Sequence, residues 1–314
     1  MNKLISRRTS GLLTLGTIIV LLPLFLPNNY YYDVAINIGI NAIVVVGLNL
    51  LVGYAGQISL GHAGFFGLGA YVTGVMVANY DWPPLVAMLM GVLLIGGLAF
   101  LIARPILKLK GHYLAMATLG LGIIISIVLN TEEEITGGPD GMTVPPFSIL
   151  GWELSGEQVW YWVIGGLLIL AVILALNIID SPAGRAMRAV HGSEVAAQVV
   201  GVDTRHYKVL VFVVSAVFAG VMGSVSAHYS GFITPNEAGF IRSIEFVTMV
   251  VLGGMASTYG AVLGAVILTL LPQLLTGFED YEMMVFGLIL MATMIFMPKG
   301  LVPTLSAVFK KNYA

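Results

Sequence analysis

Five histidines, at positions 62, 112, 191, 206 and 228, and 16 Asp and Glu side chains are the groups with which this chain of 314 residues would do acid–base or metal chemistry. No two histidines stand at a helical ligand spacing, no His-Glu-x-x-His occurs, and there is no cysteine. Thiolate metal sites, thiol nucleophiles and disulfides are therefore excluded, and no metal or other cofactor is expected. Neither Gly-Lys-Ser nor Gly-Lys-Thr is present, so the loop that cradles nucleotide phosphates is missing and the chain cannot itself hydrolyse ATP. An intramembrane enzyme would need a nucleophile with its base or a metal cluster, and the pattern offers neither; the chain reads as a non-enzyme.

The elements that carry these sparse polar groups are apolar. Hydrophobic residues make up 58% of the chain and charged ones 10%, far below the quarter of a soluble domain. Apolar spans recur at about 11–27, 34–52, 63–80, 84–104, 112–130, 158–179, 209–229, 243–259, 260–278 and 281–297. Backbone in hydrocarbon must satisfy its own hydrogen bonds, so these spans are expected to be helices. The expected fold is one all-α transmembrane domain over residues 1–314 with about ten helices. Boundaries are poorly defined near 53–62 and 255–264. The run after Lys3, Arg7 and Arg8 ends at Pro27-Asn28-Asn29 without a small-residue cleavage pattern, and so reads as a retained first helix rather than a signal peptide.

Charge tests the count. With the amino terminus inside, 13 of the 14 basic residues fall on one side, and Arg242 alone joins the acidic side with Asp33, Asp81, Glu132, Glu133, Glu134, Asp140, Glu153, Glu157, Glu237, Glu245, Glu279, Asp280 and Glu282. Both termini are thereby expected in the cytoplasm. Residues 131–158 form an acidic external loop containing the turn run Thr136-Gly137-Gly138-Pro139-Asp140-Gly141; residues 180–208 form a basic internal loop; residues 231–242, with Pro235, form a third connection, outside. A weak echo between 53–64 and 253–264 in Gly and Ser spacing suggests two five-helix halves in inverted orientation.

Two stretches stand out. Gly53, Gly56, Gly61, Gly64, Gly67 and Gly69 crowd one segment. One reading is close helix packing by small residues. The other is a broken backbone that, with Gln57, Ser59 and His62, lines a permeation path together with Gly253 and Gly254. His62 is the one ionisable group of that stretch and fits a structural, an interfacial or a path-lining role. In the internal loop a short helix from about Ser193 to Val200, capped by Gly201, would present Glu194 and Ala197 on adjacent surface, either to dock in a groove of a partner or as an ordinary amphipathic connector.

The segments Gly53-Tyr54-Ala55-Gly56-Gln57-Ile58-Ser59-Leu60-Gly61-His62, Gly111-His112-Tyr113-Leu114-Ala115-Met116-Ala117-Thr118-Leu119, the Thr136–Gly141 run, Val250-Val251-Leu252-Gly253-Gly254-Met255 and the internal loop together resemble permease subunits of ATP-binding cassette importers for branched-chain amino acids. The resemblance covers about 34–305 and is nearest the second of that family's two paired permeases. It implies a fold similar to that of vitamin B12 importers. It also implies an inner-membrane location, a partner permease, two ATPase subunits and an extracytoplasmic substrate-binding protein; no nucleic-acid partner is expected. Glu194, Ala197 and Gly201 match the family's coupling loop, with Val195 setting the glutamate one residue further away than in the general importer pattern. The implied cargo is leucine, isoleucine and valine. Urea or short amides in the same importer class, and a solitary secondary transporter or channel, are the alternatives.

Overall fold

The computed structural model describes residues 2–149 and 152–275, with single positions beyond at 284, 287, 288, 291, 295, 300, 301 and 304. Twelve helices occur among the described residues: α1 (Asn2–Leu21), α2 (Asn29–Asn49, prolonged by a π-helical turn, Leu50–Tyr54), α3 (His62–Ala78), α4 (Pro84–Ile106), α5 (His112–Thr131), α6 (Glu133–Thr136), α7 (Glu157–Asp180), α8 (Pro182–Gly192), α9 (Glu194–Val199), α10 (Thr204–Ser230), α11 (Phe240–Gly253) and α12 (Thr258–Leu275). Four two-residue strands, β1 (Met142–Thr143), β2 (Ser148–Ile149), β3 (Trp152–Glu153) and β4 (Phe232–Ile233), pair antiparallel as β1 with β4 and β2 with β3.

Six of these elements are long and apolar enough to cross a membrane: Arg8–Phe25, Asn29–Tyr54, α4, α5, α7 and α10. The protein is a multi-pass membrane protein. Helices α3 and α12 are apolar but shorter. The tenth expected span, 281–297, lies largely outside the described residues. The first, 11–27, is helical as far as Phe25 and lies on the outside of the array against α7, with Tyr161 donating to the Ile19 carbonyl at 2.7 Å and Arg8 bonded to Asp180 at 3.2 Å.

 The Arg8 guanidinium thus ties the start of α1 to the last turn of α7.

One expected span is overturned. Residues 243–259 do not form a single helix, because α11 stops at Gly253 after 14 residues, about 21 Å of helix. Gly254 then takes φ 114° and Ala256 φ 59°, conformations that no helix continues through, and α12 starts afresh at Thr258.

The array has a basic end, carrying Arg8, Arg104, Lys110, Arg185, Arg188 and Lys208, and an acidic end with Asp33, Asp81, Glu133, Glu153 and Glu157. The apolar window of α2 is 83% buried and that of α4 22%, which makes α2 central and α4 peripheral. Helices α3 and α10 press backbone to backbone: a Cβ on Gly69 would lie 1.9 Å from the Gly220 carbonyl oxygen, and one on Gly223 would lie 1.8 Å from that of Phe66. No side chain fits at either place, so glycine sets this crossing.

Two stretches re-enter the array from opposite ends. Residues 55–61 climb from the basic end to the start of α3, and residues 231–239 descend from the acidic end to the start of α11. The first turns of α3 and α11 meet inside, where Ala63 N donates to Ser243 Oγ at 3.1 Å. The two breaks are thus counterparts of opposite sense. The segments that echo one another in sequence, 53–64 and 253–264, are instead neighbours at the basic end: a Cβ on Gly53 would meet Ala256 N at 2.3 Å.

Candidate functional site

Every break in a membrane helix frees backbone groups that must find partners. Around the first break Ala55 N donates to Leu50 O (3.2 Å), Gln57 N to Leu51 O (3.0 Å) and Leu60 N to Thr118 Oγ1 (3.0 Å). His62, with no exposed surface, lies between two hydroxyls, its Nδ1 2.9 Å from Ser59 Oγ and its Nε2 2.7 Å from Ser215 Oγ. It is therefore inside the protein and not at a surface, and both ring nitrogens are satisfied.

The glycines divide between the two readings. A Cβ on Gly61 would lie 2.2 Å from the Thr118 carbonyl oxygen, and one on Gly67 2.5 Å from Ala238 Cβ, so these positions are taken by close packing. Gly56 instead has φ 66°, and makes the turn that starts the climb. Half-buried Gln57 bonds back to Ala55 O at 3.0 Å rather than to His62.

Gly253 and Gly254 are both buried, and the turn after them is held by Asn49 of α2, whose Nδ2 donates to Ser257 O while its Oδ1 accepts from Ala256 N, each at 3.0 Å. Gly53 joins this second cluster and Ser59 joins His62. The six residues expected to line a path thus form two packed groups, with Gln57 between them.

At the basic end α8 and α9 form the internal loop. Ser193 caps α9, its Oγ accepting from Ala196 N at 3.3 Å. Gly201, at φ 85°, ends it: Gly201 N donates to Gln198 O (3.0 Å) and Val202 N to Ala197 O (2.9 Å), the paired bonds that a left-handed residue after a helix permits. The expected surface is corrected. Ala197 is 3% exposed and faces the chain's own core, and Glu194 turns inward to Lys208, its Oε1 2.8 Å from a nearly buried Nζ. Lys110 approaches the other oxygen at 3.5 Å. Burial pushes the Glu194 carboxyl up, but the bond and charge of Lys208, with Lys110, outweigh it and hold the group below the usual glutamate value. What α9 and the residue that ends it present outward are Val195, Val199 and Val200, 66%, 82% and 76% exposed.

Among the described residues no group of three or more His, Asp or Glu is placed to hold a metal ion. The site is one of packed helix breaks and an apolar knob. A family model described as "Branched-chain amino acid transport system / permease component" matches residues 30–294. The chain belongs to that family. It is 31% identical over 263 residues to the high-affinity branched-chain amino acid transport system permease protein LivM of Escherichia coli (strain K12), and 32% identical over 263 residues to LivM of Salmonella typhimurium, in each case covering 76% of this chain and 62% of the relative. Similarity extends at 26% over 210 residues to LivH of Escherichia coli, covering 63% of this chain and 66% of that protein. The chain thus spans less than two thirds of the LivM relatives' own length. No solved structure matches it.

In this permease-family chain several working residues escape a reading by motif. Asn49, Thr118, Ser215 and Ser243 satisfy the breaks, and Lys208 holds Glu194. A signal existed for Asn49 and Lys208, because a polar residue in an apolar run needs a partner; the hydroxyls carry no such mark, since Ser and Thr are common in apolar helices.

Proposed function

We propose that this chain is one of two permease subunits of an ATP-driven importer that carries branched-chain amino acids across the cell inner membrane. Its basic end and both termini face the cytoplasm. The observation that carries the reading is α9: in a member of this permease family, a six-residue helix stands at the basic end with its two outward valines and the Val200 that follows it exposed and its one carboxylate turned inward. An apolar knob of this kind suits a groove on an ATPase subunit. Glu194, Ala197 and Gly201 then act by fixing the knob's position, and Val195, Val199 and Val200 make the contact.

The counterpart breaks at 55–61 and 231–239 support two inverted halves and, with the remaining span, a fold of the ten-helix importer type. Gly53, Gln57, Ser59, His62, Gly253 and Gly254 are assigned to the moving core beside the pathway, and a substrate-binding protein docks on the acidic end. The test is purification of the tagged chain from its native membrane in mild detergent, followed by reconstitution of what comes with it. Recovery of a second permease and ATP-binding proteins, with leucine uptake that requires ATP, is expected. Recovery of the chain alone under conditions that preserve other complexes, or uptake indifferent to ATP, overturns the reading.

A further inference from the structure

A cavity of about 670 Å³ enters from the acidic end. Its rim includes Ser155, Gly156, Ser230 and Phe232, and its wall continues inward to Ile40, Phe66 and Arg242. Arg242 was placed by charge pattern on the acidic side, in a loop. It lies deeper than that. Its Nη2 donates to Asn41 Oδ1 at 2.9 Å, and Asn41 stands 12 residues into α2, about 18 Å from the helix start at 1.5 Å per residue. Phe66, over whose ring the guanidinium sits at 5.9 Å, is equally far from the end of α3.

Here the first turns of α3 and α11 meet, so two positive helix ends converge near one cation. Around that cation are two carboxylates, Glu245 Oε2 at 2.9 Å from Nη1 and Glu237 Oε2 at 3.8 Å from Nε. Nε itself is buried and makes no hydrogen bond. The Arg242 side chain as a whole nevertheless keeps 26% of its surface exposed, and the residue lines the cavity. A guanidinium fixed in the wall of a cavity, beside a carboxylate whose side chain is 41% exposed, matches a ligand that brings an acceptor anion and a cation a few ångströms apart.

The geometry points to a binding station for an α-amino acid zwitterion in this cavity, its carboxylate on Arg242, its ammonium on Glu237, and its side chain against Phe66 and Ile40. This deepens the importer reading and rests on it for the identity of the amino acid, though not for the zwitterion class. An apolar wall beside paired charges favours an aliphatic side chain over a polar one. Asp33, at the mouth, already accepts from Tyr229 OH at 2.5 Å and Asn37 Nδ2 at 3.2 Å, and lies too far from Arg242 along α2 for one amino acid to span both.

The chain has no cysteine, so a single introduced thiol reports on the cavity. Asn37, in the wall one turn above Asn41, is the position. Asn37→Cys is labelled with a small maleimide in membrane vesicles holding the whole complex, with and without L-leucine, leucinamide or 4-methylpentanoate. Leucine is expected to slow labelling, and the two analogues, each lacking one charge, are not. Arg242→Gln is expected to raise the half-protecting leucine concentration about tenfold or more, the scale of a lost charge-assisted bond, and Arg242→Lys by less. Unchanged labelling of these variants without ligand shows that the cavity has kept its shape.

Equal protection by leucinamide, protection indifferent to Arg242, or no protection by any of the twenty amino acids overturns the station. ATP-driven leucine uptake by the same vesicles separates the two ideas. Uptake without protection removes the station and leaves the importer; protection by another zwitterion without leucine uptake removes the substrate assignment and leaves the station.

Discussion

Glu194 and Lys208 make a test of how α9 is held. Lys208 is 2% exposed, and its ammonium meets Glu194 at 2.8 Å, whereas Lys110, on the other oxygen, is 68% exposed. Removing one partner of a buried pair costs about 3–5 kcal/mol. Glu194 keeps 24% of its side chain exposed, so water replaces part of what is lost, and about 2 kcal/mol is the appropriate scale for Glu194→Gln. If that energy holds α9 down, its local opening becomes about 30-fold more frequent. The reporter is Ala197→Cys, a small change at a position 3% exposed in a chain with no other thiol. Maleimide labelling of detergent-solubilised chain should accelerate by that factor in Glu194→Gln. The double variant Glu194→Gln/Lys208→Met, which buries no unpaired charge, should return to within a few-fold of the reporter alone. A Glu194→Gln rate within threefold of the parent, or a double variant as fast as the single, refutes the argument that this pair positions the helix.

The same pair sets a pH dependence. Because the folded carboxyl sits below its ordinary value, its contribution is fully present above about pH 4.3 and is lost as pH falls through the folded pKa; amide exchange of α9, corrected for intrinsic rate, should be flat from pH 8 to 5 and rise only below. Gly61→Ala would place a Cβ 2.2 Å from a backbone carbonyl, whereas Gly97→Ala meets nothing within 4 Å; the first should lose on the order of 3 kcal/mol and most monodisperse protein on size exclusion after mild heating, the second almost none. Val199→Asp, at a site 82% exposed, should abolish ATPase association in pull-downs while leaving the thermal midpoint of the isolated chain within a degree or two.

The helices were legible because hydropathy and length suffice for apolar spans, and the expected starts and ends fall within a few residues for α3, α4, α5 and α7. The two uncertain boundaries are the places where the chain leaves the helix, at 55–61 and 254–257. Glycine density marks such places without distinguishing turn from contact: Gly56 and Gly254 are turns, Gly61 and Gly69 contacts, and only tertiary packing decides. Gly201 was readable as a cap because cap chemistry is local. Ala197 and Glu194 were placed on the wrong face because a helix of six residues has no period long enough to show which side is buried.

Charge counting by loops puts Arg242 in an external connection and Glu245 near the start of a span, because it assumes that each connection stays outside the helices. The descent of 231–239 breaks that assumption and carries a cation and two carboxylates inward together. A lone charge at that depth is expensive, and deep carboxylates would ordinarily mark an ion-coupled carrier. Here both are engaged by one guanidinium, which also rests against Phe66 and Phe246 at 5.9 and 4.9 Å. One cation against two anions leaves the cluster negative by one, so an ammonium meets a carboxylate that Arg242 does not fully neutralise while the ligand's own carboxylate meets Arg242. Such a ligand is net neutral and leaves the cluster's charge as it was, so its binding calls for no companion ion.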